Sequence, residues 1–232
     1  MATQDSAPAF RSIAAFDVDG TLTWTDSFML FLRFVSGRWL FMARMVQLVP
    51  VFLAYMMRLA DRDTTKNRLM ILCLRGMSKA RYDLWCQDFA RVAYPIIQRP
   101  DAIARLSSHL GVRDDVVMVS ASLEDYLRAW AHTLGVPIVL ATQVEVSAGL
   151  LTGAMLGRNC RGLEKLTRIK SHFGDTPLVA AYGDSRGDKE MLAASQVPGL
   201  RLFEEAPPNR RTILWDLYFG TLLERRARGD NT

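Results

Sequence analysis

Asp17 and Asp19 close a short apolar run, in the stretch Phe16-Asp17-Val18-Asp19-Gly20-Thr21-Leu22-Thr23. If Ile13 to Phe16 is a buried parallel strand, it delivers both carboxylates at its C-terminal edge, where open α/β sheets place their chemistry. Acids at i and i+2 leave a strand on the same side and can share one site. Gly20 lets the chain turn and approach a ligand closely. Such a pair suits a nucleophilic carboxylate beside an acid/base partner, with a divalent cation holding the charge down. It also suits a strand ending in a solvated, Asp-rich turn, and a bare DxDG leaves both readings open.

Four more residues sit at comparable places. Ser120 follows the apolar run Val116–Val119, Asp184 follows Leu178–Tyr182 with Asp188 four residues on, and Lys165 lies on the helical segment before that last run. Each has a plain alternative. Ser120 could cap the next helix, Lys165 could be a solvated helix lysine, and the acids of Gly183-Asp184-Ser185-Arg186-Gly187-Asp188 could be turn residues. At successive carboxyl ends of one sheet, however, they combine into a site. Its acids would hold Mg²⁺, and its Ser and Lys would donate to phosphate oxygens.

A doubly wound parallel sheet is what would bring these ends together. From Asp101 onward, helices alternate with short buried strands. Ile103–Leu110 reads as a helix, Val116–Val119 as a strand, Leu123–Leu134 as a helix and Pro137–Thr142 as a strand. Val144–Leu156 turns at Ala148-Gly149 as a β-hairpin, and a helix over Leu163–Phe173 leads to the strand Leu178–Tyr182. A short helix, Lys189–Ala194, and a last strand, Leu200–Phe203, complete the pattern. The expected division is a core of residues 1–23 and 105–232 with a helical cap, 24–104, on the loop leaving the first strand.

The cap segment is greasy and basic. Phe, Leu, Met and Trp crowd residues 26–62, with Arg33, Arg44 and Arg58 within roughly 40° of one another on an ideal helix. Its longest uncharged run, Met45–Met57, is too short to span a membrane, which takes about 20 apolar residues. Gly37 and Pro50 break it into amphipathic helices, either an ordinary bundle or an interfacial surface that lies on a membrane or admits a lipid tail. Helices are expected at Thr64–Leu74 and Lys79–Ala93, punctuated by Pro95 and Pro100. In the tail, Ile213, Leu214, Leu217, Tyr218 and Leu222 share a face, with Arg225, Arg226 and Arg228 beyond.

With 232 residues, 50% of them hydrophobic and 23% charged, the chain can bury a full core. Three scattered cysteines (Cys73, Cys86, Cys160) and three histidines disfavour a zinc site and fit a reducing cytosol. The polar N-terminus, Met1–Arg11, shows no secretory h-region. A net charge of +5 suits an anionic partner: phosphate, nucleic acid or an acidic membrane. Nucleic acid is the weakest of these, because the arginines lie in an apolar segment rather than a polar stripe.

Asp17-Val-Asp19-Gly-Thr-Leu-Thr, Ser120-Ala-Ser122, the Lys of Arg161-Gly-Leu-Glu-Lys165-Leu and Tyr182-Gly-Asp184-Ser-Arg-Gly-Asp188 together resemble the four-motif pattern of the haloacid dehalogenase superfamily of phosphohydrolases. The insertion between the first two motifs resembles that of the phosphoserine phosphatase-like branch. Ala141-Thr142-Gln143, the Gly149–Gly153 hairpin and Cys160–Lys165 are similar to the subgroup containing phosphatidylglycerophosphatase C. The resemblance implies a Mg²⁺-dependent phosphomonoester hydrolase with Asp17 as nucleophile and Asp19 as acid and base. It further implies that Asp17, the Asp19 carbonyl and Asp184 bind the metal, supported by Asp188, and that Ser120 and Lys165 hold the phosphoryl group. Asp26 stands where phosphoserine enzymes carry a Glu that reads the substrate amine, which makes it a specificity candidate. Lys66 and Arg68 are candidates for meeting a substrate anion. The expected substrate is a lipid phosphate such as phosphatidylglycerophosphate, handled in the cytoplasm or on the inner face of the membrane. The rivals are a small soluble phosphomonoester such as phosphoserine, and a non-catalytic phosphate-binding or regulatory protein.

Overall fold

The computed structural model describes residues 12–59, 61–203, 205, 207, 209–220 and 223. Its centre is β1 (Ile13–Phe16), a strand with no exposed residue. Ile13 and Ala15 face one apolar cluster, with Ile169, Met191 and Leu192, while Ala14 and Phe16 face the other. A strand covered on both faces has to be apolar throughout, which is why β1 reads as a continuous run rather than an alternation. Burying one side chain such as Phe16 is worth roughly 1.5–3 kcal/mol.

β1 pairs in parallel with β2 (Asp115–Leu123) on one side and β5 (Leu178–Gly183) on the other. Beyond β2 lie β3 (Ile138–Ser147) and its antiparallel partner β4 (Leu150–Leu156), and beyond β5 lies β6 (Val197–Leu200). The order β4-β3-β2-β1-β5-β6 reverses direction between β1 and β5. This is the crevice where a doubly wound sheet binds its ligand. The β3–β4 hairpin turns at Ala148 and Gly149, both at positive φ (48° and 77°), as a tight right-twisting hairpin requires.

Between β1 and β2 run α1 (Ser27–Ser36), α2 (Arg38–Gln47), α3 (Val49–Met56), α4 (Arg62–Leu74), α5 (Lys79–Ile97) and α6 (Pro100–Gly111). α7 (Glu124–Thr133) follows β2, α8 (Leu163–Phe173) and α9 (Lys189–Ala193) flank β5, and α10 (Arg210–Tyr218) closes the described chain. The inserted helices are fused to the sheet's flank by one continuous apolar cluster that includes Phe31, Phe89, Tyr126 and Trp130. Tyr94 stacks on Trp130 at 3.8 Å, tying α5 to α7. α4 packs so tightly on β4 that a Cβ at Gly153 would lie 2.6 Å from the Ile71 backbone.

Several expectations change. Arg33, Arg44 and Arg58 do not share a face, because α1, α2 and α3 are separate helices broken at Gly37 and Leu48. Arg33 is fully buried, and its guanidinium donates to the carbonyls of Tyr218 and Gly220 at the end of α10. Pro95 lies inside α5, near its last turn, and Pro100 starts α6 at a position where no amide donor is needed. α6 is a single helix across the expected 104/105 seam. The last strand is Val197–Leu200, set by its pairing with Ala180–Gly183, rather than Leu200–Phe203. In the tail, Leu217 is buried, while Leu222 and the terminal arginines lie outside the described residues, as does the N-terminal stretch Met1–Arg11.

α2 and α3 are more exposed, anchored to the cluster chiefly through Phe41 and Leu48. α3 buries none of its residues, and Trp39, Leu40, Val46, Leu53, Met56 and Met57 are exposed. Among the described residues no single helix is long and apolar enough to cross a membrane, but α2 and α3, bent by 50° at their junction, together have that length and composition.

Candidate active site

Asp17 follows β1 directly and is almost fully buried, with Thr21 Oγ1 donating to its Oδ2 at 3.2 Å. Lys165, from the first turn of α8, puts its Nζ 2.5 Å from both Asp17 Oδ1 and Asp188 Oδ1. Asp188 is in turn fixed by Ser185, whose N–H and hydroxyl donate to its Oδ2 at 3.0 and 2.9 Å. Asp184, at the end of β5, completes the group: one carboxylate oxygen from each of Asp17, Asp184 and Asp188 lies within 4.8 Å of the others. Asp184 leans over Gly20, where a Cβ would stand 2.2 Å from its Oδ2. Only a glycine (φ +87°) leaves room for that carboxylate.

Buried carboxylates this close repel one another, and the charges show it. Burial raises Asp17 to about 7, with Lys165 pulling down and Asp188 pushing up. Burial alone would push Lys165 down, but Asp17 and Asp188 outweigh it and hold the ammonium firmly protonated. Three convergent carboxylates form a hard-oxygen donor set that fits Mg²⁺.

Asp19 points away from this group. Its Oδ1 accepts from the Ser27 backbone N–H at 2.8 Å, and its Oδ2 accepts from the Ser122 hydroxyl. Burial, reinforced by the nearby Asp26 charge, raises its carboxyl to about 6. Ser120 is buried near the end of β2, beside β1, its Oγ accepting from Ser122 N–H at 3.0 Å. A cavity of about 510 Å³ opens above these residues, lined also by Trp24, Phe28, Arg99, Arg161 and Arg210.

Every candidate from the sequence except Arg68 borders this cavity; Arg68 is exposed on α4, away from it. Asp26 lies at the rim, but its carboxylate is occupied in capping α1, accepting from Met29 N–H at 3.0 Å. Lys66 enters from α4 and donates to the Ala121 carbonyl and to Asn159 Oδ1, the latter at 2.7 Å. A family pattern for haloacid dehalogenase-like hydrolases matches residues 14–193, from β1 to the end of α9. The chain belongs to this family.

Among relatives of this hydrolase, Protein CicA of Caulobacter vibrioides is 36% identical over 198 residues, spanning 84% of this chain and 88% of CicA. The crystal structure of a protein of unknown function from Bordetella pertussis Tohama I superposes with a TM-score of 0.72 at 23% identity, covering 95% of this chain and 97% of that one. A phosphoserine phosphatase captured as a phospho-aspartyl intermediate analogue gives a TM-score of 0.54 at 18% identity, covering 81% and 84%. At these identities the two structures establish the shared fold.

Sequence reasoning missed Ser27, Ser122 and Thr21 as supports of the acids, and Arg99, Arg161 and Arg210 as parts of the wall. Ser122 carried a signal, standing at i+2 from Ser120 on the same strand face. The arginines carried none, because they come from a helix cap, a loop and a tail far apart in sequence.

Proposed function

We propose that this hydrolase is a Mg²⁺-dependent phosphomonoesterase that works through an aspartyl-phosphate on Asp17, with a lipid phosphate such as phosphatidylglycerophosphate as its substrate. The observation that carries the reading is the buried Lys165, bonded at once to Asp17 and Asp188 beside Asp184, with Ser120 in the same cavity. A carboxylate nucleophile, a fixed cation, a hydroxyl and an acid cluster are the parts that phosphoryl transfer requires.

In the first step an Asp17 carboxylate oxygen bonds to phosphorus while the ester oxygen leaves and takes a proton from Asp19. In the second, Asp19 removes a proton from water, which attacks phosphorus and breaks its bond to Asp17, freeing phosphate. The raised carboxyl of Asp19, near 6, suits a group that must give a proton and then take one. Lys165 and Ser120 hold the transferred oxygens. Asp17, the Asp19 carbonyl and Asp184, with Asp188 in support, would hold Mg²⁺, which would supply the positive charge that lets an anionic nucleophile meet an anionic phosphate. The phospho-aspartyl analogue of the phosphoserine phosphatase relative supports the same route for this chain.

The lipid part rests on α2 and α3, whose exposed Trp39, Leu53, Met56 and Met57 sit among Arg38, Arg44, Arg58 and Arg62. An apolar, cation-rimmed surface of this kind suits an anionic bilayer on the cytoplasmic side. The α1–α5 segment then acts as the cap, and acyl chains stay in the membrane while the headgroup enters the cavity. A small soluble phosphomonoester is the rival, favoured by the polar, charged walls of that cavity. A non-catalytic role fits poorly with intact Asp17, Asp19 and Asp184. The test is Mg²⁺-dependent phosphate release from phosphatidylglycerophosphate in mixed micelles, against phosphoserine and an aryl phosphate. A preference for the soluble esters would overturn the lipid reading and leave the phosphatase reading standing.

A further inference from the structure

The cavity wall holds more positive charge than one phosphate needs. Arg99, at the start of α6, is fixed by its own backbone contacts. Its Nη1 donates to the carbonyls of Phe203 and Glu205 at 3.0 and 2.8 Å, and its Nε reaches the Thr23 carbonyl at 3.4 Å. Arg210, the first residue of α10, approaches the next carbonyl along, that of Trp24, at 3.5 Å from Nη2. The two guanidinium groups thus bracket the Thr23-Trp24 backbone on the loop that leaves the Asp17–Asp19 motif, and both line the cavity. They lie near enough to repel: burial chiefly disfavours protonation of Arg99, and the Arg210 charge adds to it. Among the described residues neither is ion-paired with a carboxylate, although Asp101 attracts Arg99 more strongly than Arg210 repels it, and Asp184 attracts it less.

Two like charges held together at the mouth of a polar cavity, one of them anchored through several hydrogen bonds, make a preorganised fork for an oxyanion. The phosphate under attack is already served by Lys165 and Ser120 on the cavity floor. We propose that Arg99 and Arg210 form a second anion subsite, which takes a further phosphate group, monoester or diester, carried by the same substrate molecule. This rests on the phosphatase reading and narrows it to substrates with two phosphates, whether a phospholipid headgroup or a soluble bisphosphate.

Binding tests it without turnover. Non-hydrolysable alkane bisphosphonates of increasing chain length are titrated calorimetrically into the protein with Mg²⁺, each against its matching monophosphonate. At the length that spans floor and wall, the bisphosphonate is expected to bind on the order of tenfold tighter, as one added charge-assisted contact gives. Arg210→Gln, on an exposed helix start, should bring that ratio close to one, and Arg210→Lys should keep part of it. Arg99→Gln should act likewise, with its thermal melt recorded because Arg99 also braces backbone. No advantage at any length, or an advantage unchanged in both Gln variants, overturns the subsite and leaves the arginines as braces only. Phosphate release by the unsubstituted protein is measured separately, so a failed phosphatase reading is distinguishable from a failed subsite. Deacylated glycerophosphoglycerophosphate against micellar phosphatidylglycerophosphate then separates the two sources: equal affinity points to a soluble bisphosphate, tighter micellar binding to the lipid.

Discussion

Ser122 donates its hydroxyl to Asp19 Oδ2 from a position two residues past Ser120 on β2. With the Ser27 N–H on the other oxygen, this bond fixes the carboxylate and favours its charged form. Ser122→Ala therefore raises the Asp19 pKa further above 6, because burial is left less opposed. The alkaline limb of the pH–rate profile, where Asp19 must still be protonated, should move to higher pH. The maximal rate should fall about tenfold, equivalent to ~1.4 kcal/mol. A profile of unchanged shape would mean that Ser122 only fills space.

Gly20→Ala should disable the metal group without replacing a carboxylate. The new Cβ would sit 2.2 Å from Asp184 Oδ2, and φ is +87° there. The backbone strain alone costs on the order of 1–3 kcal/mol. The expected outcome is a lower melting temperature and loss of the further stabilisation that Mg²⁺ gives the unsubstituted protein. Asp184→Asn should lose the Mg²⁺ response as well. Thermal melts with and without Mg²⁺ read both.

How far the sequence disclosed this site follows from distance along the chain. β1, β2 and β5 were legible because double-sided burial makes strands continuously apolar, and their ends carry Asp17, Ser120 and Asp184. The α8 helix and the hairpin turn were legible from local chemistry, glycines and period. Arg33 was misread as a surface cation because its partners are carbonyls at Tyr218 and Gly220, on a helix packed from the far end of the chain. Pro95 was misread as a stop because packing of Tyr94 on Trp130 holds α5 helical past it. Of the two groups that bond Asp19, Ser122 comes from 103 positions further along the chain, while Ser27 is only eight away.

Lys66 gives a pH signature in stability. Burial lowers its pKa from 10.5 to about 8, only partly opposed by Asp63, Asp19 and Asp26. The unfolded chain therefore binds more protons than the fold between about 8 and 10.5, and stability contributed by this group rises with pH through that window. Below 8 the buried ammonium carries its full cost. In Lys66→Met that rise should disappear, as the difference between the two proteins' melting temperatures across the window will show.

The exposed apolar surface of α2 and α3 should be dispensable for chemistry and needed at membranes. Replacing Trp39, Leu53 and Met56 with Ser removes apolar area far from the Asp17 cavity. Co-sedimentation with anionic vesicles should drop several-fold, while hydrolysis of a soluble aryl phosphate is retained. Equal sedimentation of both proteins would mean that this surface meets something other than lipid.

The most direct measurement is acid quenching during turnover of a labelled phosphomonoester with Mg²⁺, followed by mass mapping of the modified peptide. The expected result is an acyl phosphate on Asp17, absent in Asp17→Asn together with phosphate release. Phosphate release that continues undiminished in Asp17→Asn, with no label on Asp17, would contradict the assignment of Asp17 as the nucleophile.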